Sequence, residues 1–297
     1  MKQQNLLDTI GKTPMIKLKN LMPHKKEVNI FAKLEGQNPG GSIKDRAALY
    51  MIEQAEQRGE LDKNKIIIEA TSGNMGISLA MVGAQKGYKV KIVMSEAMSK
   101  ERKTMLRALG AELILTDKNL GTKGAIDKVK ELIKEQPRLY WFADQFNNQD
   151  NVLAHYYGIA SEILKEVKPI DVFVAGVGTG GTIMGIAKKF KEDSPMTKIF
   201  SVVPPSGYLI QGIQDPQKDF IGNIYNQDLV DENFYVSAED SFEMAKIIAK
   251  TEGLFGGMSS GAILYAAKKI AESMDSGNIV VIIPDRGEKY LSTDLFR

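Results

Sequence analysis

Short runs rich in β-branched residues alternate along the chain with stretches that have the 3.6-residue period of an amphipathic helix. The predicted strands are 15–20, 29–35, 65–71, 89–95, 111–116, 139–144, 171–177, 198–204, 233–239 and 278–284. The predicted helices include 43–58, 75–85, 100–109, 121–135, 151–166, 242–251 and 262–272. This alternation predicts an α/β fold whose parallel strands carry helices on both faces. Ten strands are many for one twisted sheet, so we expect two sheets, with a boundary near Asp144.

Composition excludes several classes of function. The net charge of +2, from 39 Lys+Arg against 37 Asp+Glu, gives no electrostatic reason to expect nucleic acid or an anionic membrane as partner. The absence of cysteine excludes disulfides, thiolate nucleophiles and cysteine-ligated metals, and His24 and His155 alone do not favour a histidine-rich metal site. No signal peptide or membrane-length apolar run is visible, so a cytoplasmic location is expected.

The segment NPGGSIKDR at 38–46 begins a predicted helix. Ser42 is placed as its N-cap, with Asp45 three residues on, and Lys44 falls in the first turn. The partial positive charge of a helix N-terminus disfavours an ammonium there and so helps to keep the amine neutral. A neutral amine is what a Schiff base with an aldehyde cofactor requires. Taken alone, the segment fits an exposed lysine in a capped helix better.

The segment TSGNMG at 71–76 follows a strand and begins an apolar helix. Backbone amides and the hydroxyls of Thr71 and Ser72 predict an anion site there, sized for a carboxylate or phosphate. Asn74 adds a side-chain amide within reach of a hydroxyl on the ring of a bound ligand. A plain strand–turn–helix corner fits these residues about equally well.

The segment GVGTGGT at 176–182 matches the dinucleotide pattern G-x-G-x-x-G, which is weak alone. No acidic residue for a ribose follows the next strand, which runs into Pro204, and no Walker A lysine is present. The hydroxyls of Thr179 and Thr182 favour a cradle for one phosphate over a glycine corner that serves packing only.

The segment GMSSG at 257–261 fits the hydrolase pattern G-x-S-x-G. That pattern requires a strand before the serine and a histidine after it, and this chain has neither. Ser259 is left as a helix cap or as a hydrogen-bond partner for a ligand.

Together these segments supply an amine, an anion site with an amide, a phosphate cradle and a hydroxyl. Strand-to-helix turns of a parallel sheet gather at the carboxyl ends of the strands, where ligands bind. A ligand with an aldehyde, one phosphate, a phenolic oxygen and a ring nitrogen matches this set, and that ligand is pyridoxal 5'-phosphate.

With QFNN at 145–148 and TIGKTP at 9–14, these motifs make the sequence resemble the O-acetylserine sulfhydrylases, or cysteine synthases, nearly from end to end. The segment DRGEKYLST at 285–293 is similar to the B-type members. The resemblance implies pyridoxal-phosphate fold type II, like the tryptophan synthase β subunit, and a homodimer. It also implies a smaller mobile domain at 36–143 with the substrate-carboxylate loop, and a larger one at 1–35 plus 144–297 with the phosphate loop.

By the same resemblance, Lys44 is the catalytic Schiff-base lysine and Ser259 lies at the pyridine nitrogen. The implied cofactor-binding residues are Lys44, Asn74, Gly178, Thr179, Gly180, Gly181, Thr182 and Ser259. The implied residues for the substrate carboxylate are Thr71, Ser72, Asn74, Met75 and Gln145.

The implied reaction is β-replacement, which makes L-cysteine from O-acetyl-L-serine and sulfide through an α-aminoacrylate, with Lys44 as general base. Met75 and the stretches 155–160 and 210–215 depart from the family pattern. Since Gln214 and Asp215 stand where B-type enzymes carry arginines, anionic co-substrates are disfavoured.

The closest alternative is a lyase that consumes cysteine and releases hydrogen sulfide, with Asp215 or Asp219 as base for water. Cystathionine synthesis, a non-catalytic binding protein and a nicotinamide dehydrogenase fit less well.

Overall fold

The computed structural model describes residues 5–71, 73–206, 210–216 and 222–296. The strands are β1 (Met15–Lys17), β2 (Val28–Leu34), β3 (Ile66–Ala70), β4 (Lys89–Ser95), β5 (Glu112–Thr116), β6 (Tyr140–Phe142), β7 (Val172–Gly176), β8 (Lys198–Val203), β9 (Glu232–Tyr235) and β10 (Gly277–Ile283). Each of the predicted strands is found, although several are shorter than predicted.

The strands form two sheets, as expected. One has six strands in the order β1-β2-β10-β7-β8-β9, and the other has four in the order β5-β4-β3-β6. The pairs are parallel except β1 with β2, which is antiparallel. The predicted α/β class with two parallel-rich sheets is therefore confirmed.

The helices lie between the strands along the chain. They are α1 (Lys44–Gln57), α2 (Asn74–Lys86), α3 (Lys100–Ala108), α4 (Gly121–Glu135), α5 (Gln149–His155), α6 (Ser161–Glu166), α7 (Gly181–Asp193), α8 (Ala238–Thr251) and α9 (Met258–Ser273). The helix predicted at 151–166 is found: α5, a π-helical stretch at Tyr156–Ala160 and α6 follow one another without a break.

Apolar residues on both faces of the central strands bury the sheets beneath the helices. Val280 and Val281 of β10 are fully buried and belong to different core clusters, one on each face of the six-stranded sheet. Burying a valine side chain contributes about 1.5 kcal/mol or more, and this two-sided burial explains why β10 is a continuous apolar run.

The predicted capping box at the start of α1 is wrong. The N-cap position is Ile43, which makes no side-chain cap, although Ser42 Oγ accepts a bond of 3.3 Å from the Lys44 amide. The Asp45 carboxylate instead accepts bonds from the Gly40 amide at 2.6 Å and the Ser78 hydroxyl at 2.5 Å. Asp45 is fully buried, and it joins the glycine loop to α2 rather than capping its own helix.

Within the described parts of the chain, no helix is both long and apolar enough to cross a membrane. The same residues contain no group of three or more histidines and carboxylates able to hold a metal ion.

Candidate active site

A cavity of about 260 Å³ lies at the carboxyl ends of strands from both sheets. Ala70 at the end of β3, Gly176 at the end of β7 and Pro284 after β10 line it. All four predicted segments meet there, because the lining also includes Lys44, Thr71, Asn74, Met75, Gln145, Gly178, Thr179, Gly180, Thr182 and Ser259. Gly181 follows directly at the start of α7, and Ser72 lies outside the described residues.

Lys44 is the first residue of α1 and faces this cavity. Its Nζ has no hydrogen-bond or ion-pair partner among the described residues, and burial lowers its pKa from 10.5 to about 8. A larger fraction of the amine is therefore neutral near physiological pH than for an exposed lysine. This geometry suits a nucleophilic amine or a proton acceptor.

The glycine loop before α7 leaves room for an anion against the backbone. Gly180 has φ +91°, a left-handed conformation that favours glycine. A Cβ on Gly178 would lie 2.8 Å from the Gly212 carbonyl oxygen, and one on Gly181 would lie 2.3 Å from Asn151 Oδ1. Asn151 Nδ2 donates to Thr179 Oγ1 at 3.0 Å and so fixes that hydroxyl at the loop. Helix-terminal amides and threonine hydroxyls in such a cradle fit a phosphate group.

His155 contacts the same loop at Thr182, and it was not predicted as a site residue. It is fully buried, and its Nε2 lies 3.3 Å from Thr182 Oγ1. Burial, with further effects from the nearby charges of Lys44 and Arg46, lowers the pKa of His155 well below its ordinary value. The ring is therefore neutral, and no local sequence signal relates it to Thr182, 27 residues away.

The opposite side of the cavity begins at α2. The Gly73 amide donates to Thr71 Oγ1 at 3.2 Å, and the Gln145 side-chain amide donates to the Ala70 carbonyl at 3.3 Å. The backbone amide of Gln145 donates to Glu69 Oε2 at 3.1 Å. Burial raises the pKa of Glu69 to about 8, which favours a neutral carboxyl beneath the site. The N-terminus of α2 thus faces the cavity with hydroxyl and amide donors that suit a carboxylate.

The segment after β10 closes the site over Asn74. Lys289 Nζ donates to Asn74 Oδ1 at 2.9 Å, and Asn74 Nδ2 donates to Asp285 Oδ2 at 2.8 Å. Nearby, Arg102 Nη1 donates to Gln211 Oε1 at 2.7 Å. The sequence had singled out 285–293 only for its resemblance to B-type enzymes and gave no site role to these residues.

Ser259 completes the lining from the first turn of α9 and is 7% exposed. Taken together, the cavity offers an amine of low pKa, an anion cradle, a second anion site and a hydroxyl. This combination fits the aldehyde, phosphate and ring groups of pyridoxal phosphate, together with the carboxylate of an amino-acid substrate.

Family comparison agrees with the class of enzyme that this arrangement defines. Residues 6–285 match the sequence profile described as "Pyridoxal-phosphate dependent enzyme", and the chain belongs to that family. Pyridoxal phosphate is its cofactor, as the sequence predicted.

The relatives narrow the class further. Cysteine synthase B of Escherichia coli (strain K12) is 42% identical over 293 residues, which cover 98% of this chain and 95% of that protein. A cysteine synthase structure from Entamoeba histolytica superposes with a TM-score of 0.94 at 42% identity, covering 100% of this chain and 91% of the other. A hydrogen sulfide-producing enzyme from Fusobacterium nucleatum is 44% identical with a TM-score of 0.92, covering 97% and 100%. The resemblance to cysteine synthases and fold type II are confirmed.

Proposed function

We propose that this enzyme is a cysteine synthase, a transferase that makes L-cysteine from O-acetyl-L-serine and sulfide. The observation that carries the proposal is the meeting of Lys44, the α2 anion site and the glycine loop in one cavity, in a chain 42% identical to a cysteine synthase over almost its full length. Amino-acid substrate and sulfide are the expected small-molecule partners.

The residues present fit the cofactor at its distinct groups. Gly178, Thr179, Gly180, Gly181 and Thr182 would hold its phosphate. Asn74 would contact its ring oxygen, Ser259 its ring nitrogen, and Lys44 would carry it. When bound, pyridoxal phosphate supplies a carbonyl that condenses with amines and a ring that withdraws electrons from the substrate α-carbon.

The protein's own part in the reaction is binding, orientation and proton transfer. Thr71, Ser72, Asn74, Met75 and Gln145 hold the substrate carboxylate at the α2 N-terminus. Lys44 accepts the α-proton, because burial keeps its pKa near 8 and a neutral amine is the required base. Ser259 would offer the ring nitrogen a hydroxyl rather than a carboxylate. A hydroxyl would not hold that nitrogen protonated, which would favour elimination over transamination.

A second function is favoured by one specific finding, the 44% identity to a hydrogen sulfide-producing enzyme. In this alternative the chain consumes cysteine and releases sulfide. Asp215 is buried and is not among the residues that line the cavity, whereas Gln211 and Gln214 are. Asp219 lies outside the described residues, so the role of either aspartate as a base for water stays a prediction.

The two functions are separated by their first half-reactions. The holoenzyme is mixed with O-acetyl-L-serine or with L-cysteine, without added sulfide, and its absorbance, acetate and sulfide are followed. Rapid spectral change with one acetate released per site supports the synthase. Spectral change with cysteine and continued sulfide release assigns the lyase, and protein that takes up no pyridoxal phosphate overturns both.

We further propose a cytoplasmic homodimer in which the unit at 36–143 moves against the unit formed by 1–35 and 144–297. The four-stranded sheet falls within the first range, and the six-stranded sheet falls within the second. Light scattering tests the dimer, and X-ray scattering with and without substrate tests the motion.

A further inference from the structure

The amide of Asn74 is held on both sides by the segment that follows β10. Its Oδ1 accepts from Lys289 Nζ at 2.9 Å, and its Nδ2 donates to Asp285 Oδ2 at 2.8 Å. An ammonium only donates and a carboxylate only accepts, so the amide has one possible orientation. One N–H of Nδ2 stays available on a side chain that lines the cavity.

Lys289 is a buried cation with all three of its donors used. Besides Asn74, it donates to the carbonyl oxygens of Gly40 at 3.1 Å and Gly41 at 3.0 Å. Lys289 is only 5% exposed. Gly40 and Gly41 lie in the loop that leads directly into Lys44. A single ammonium thus joins the loop of the catalytic lysine to the first residue of α2.

Asp285 is buried and is held through one of its two carboxylate oxygens, Oδ2. It is 1% exposed, and its Oδ2 also accepts from the hydroxyl of Tyr290 at 2.8 Å. Gly257 permits this position, since a Cβ there would lie 2.4 Å from Asp285 Oδ1. Burial lowers the pKa of Lys289, while the carboxylates of Asp285 and Asp45 oppose that shift, and three acceptor oxygens require the ammonium form.

We infer that Lys289 and Asp285 are positioning residues that fix Asn74 as a hydrogen-bond donor to the ring oxygen of the cofactor. Lys289 also keeps the Lys44 loop in register with that donor. The inference rests on the proposed role of Asn74. Without Lys289 the Asn74 Oδ1 loses its donor, and the amide is held only through the bond from Nδ2 to Asp285. Its remaining N–H is then less firmly directed toward an anionic ring oxygen.

The test replaces each partner without changing its shape greatly, through Lys289→Met and Asp285→Asn. Lys269→Met is the control, because Lys269 is an exposed lysine of α9 that pairs with Glu272, lies over the Tyr265 ring and does not line the cavity. Pyridoxal phosphate is titrated into each apoprotein, and the dissociation constant and absorption bands of the bound cofactor are recorded. We expect both variants to bind the cofactor about tenfold more weakly or worse, with altered bands, and Lys269→Met to match the wild type.

One further variant, Lys289→Arg, keeps the outcome decisive. Lys289→Arg retains charge and several donors, so it should recover part of the affinity and the wild-type bands, which a role in general stability does not predict. Wild-type bands and affinity in folded Asp285→Asn and in folded Lys289→Met overturn the inference. If Lys289→Met does not fold, wild-type bands and affinity in folded Asp285→Asn overturn it alone.

The inference and the proposed role of Asn74 fail separately. Unchanged bands in Asn74→Ala overturn the contact of Asn74 with the cofactor. Altered bands in Asn74→Ala, with wild-type bands in the Lys289 and Asp285 variants, overturn only the positioning role.

Discussion

Lys44 and Glu69 are ionisable residues that burial shifts in opposite directions near one cavity. Burial lowers the pKa of Lys44 to about 8 and raises that of Glu69 to about 8. In both cases a nonpolar surrounding disfavours the charged form. The shift of Lys44 suits its proposed role as a nucleophile and base, whereas Glu69 supports the Gln145 backbone and does not line the cavity.

The shift of Lys44 predicts how the apoprotein captures its cofactor. Only the neutral amine attacks an aldehyde. The rate of covalent capture of pyridoxal phosphate should therefore rise with pH, with its midpoint near pH 8 instead of 10.5, and level off above that midpoint. Stopped-flow absorbance measures the rate. Lys44→Ala should retain no cofactor after borohydride reduction, and a wild-type midpoint near 10 would contradict the prediction.

The shift of Glu69 predicts a pH-dependent stability. Between pH 4.5 and about 8 the unfolded chain ionises Glu69 while the folded protein keeps it protonated, so the folded protein loses stability as pH rises. Glu69→Gln removes this loss. Between pH 5 and pH 8, the free energy of unfolding of Glu69→Gln should therefore rise by about 1 kcal/mol or more relative to that of the wild type.

Urea unfolding of both proteins at the two pH values measures that difference. Glu131→Gln, at an exposed carboxylate of α4 that pairs with Lys128, is the control. If the difference in free energy of unfolding between Glu69→Gln and the wild type stays constant with pH, the raised pKa of Glu69 is refuted.

At the scale of the elements, the start of α7 depends on the absence of a side chain at Gly181. A Cβ there would lie 2.3 Å from Asn151 Oδ1, and Asn151 also holds Thr179. Gly181→Ala should push Asn151 away, disorder the threonine hydroxyl and weaken cofactor binding about tenfold or more. Titration of the apoprotein with pyridoxal phosphate measures this effect.

Gly158→Ala is the matched control, because among the described residues its Cβ would come near Arg46 Nη1 alone, at 3.4 Å. Equal cofactor affinity of the two alanine variants would show that the close approach at Gly181 is not required.

Hydrophobic patterning located the strands well because most are buried on both faces, and it erred at their ends. The strand predicted at 233–239 stops at Tyr235, since Ser237 caps α8 by accepting a bond from the Asp240 amide at 3.0 Å. That Ser-x-x-Asp signal was available in the sequence. In contrast, the start of α9 at Met258 depends on close packing of Gly257 against Asp285, which no local pattern reveals.

At the scale of the whole molecule, long-range contacts separate what the sequence predicted from what it missed. The four segments were predicted to gather because parallel strands share one carboxyl edge. Lys289 was missed because its bond to Asn74 joins residues 215 positions apart. His155, Glu69 and Arg102 were missed for the same reason: each acts through a tertiary contact and carries no local motif.

Arg102 is the clearest remaining case, because it is a buried cation that joins the two proposed moving units. It is 3% exposed, its Nη1 bonds Gln211, and its Nε has no partner among the described residues. Nor do those residues include a carboxylate paired with it. A Cβ on Gly73 would lie 3.5 Å from this Nε, so the charge lies against the loop proposed to bind the substrate carboxylate. Arg102 lies over the Tyr290 ring, with its Cζ 4.9 Å from the ring centroid. Since no described carboxylate pairs with it, its charge adds to the positive potential of the α2 N-terminus.

We therefore expect Arg102→Met to raise KM for O-acetyl-L-serine about tenfold or more, because the anionic carboxylate loses that potential and the bridge to Gln211. Gln211→Leu removes only the bridge and should raise KM less. Arg107→Met, at an exposed arginine in the last turn of α3, is the control and should leave KM unchanged. Steady-state kinetics at saturating sulfide make the comparison. An equal rise in Arg102→Met and Gln211→Leu would assign the effect to the bridge alone, and no rise in either would remove Arg102 from the substrate site.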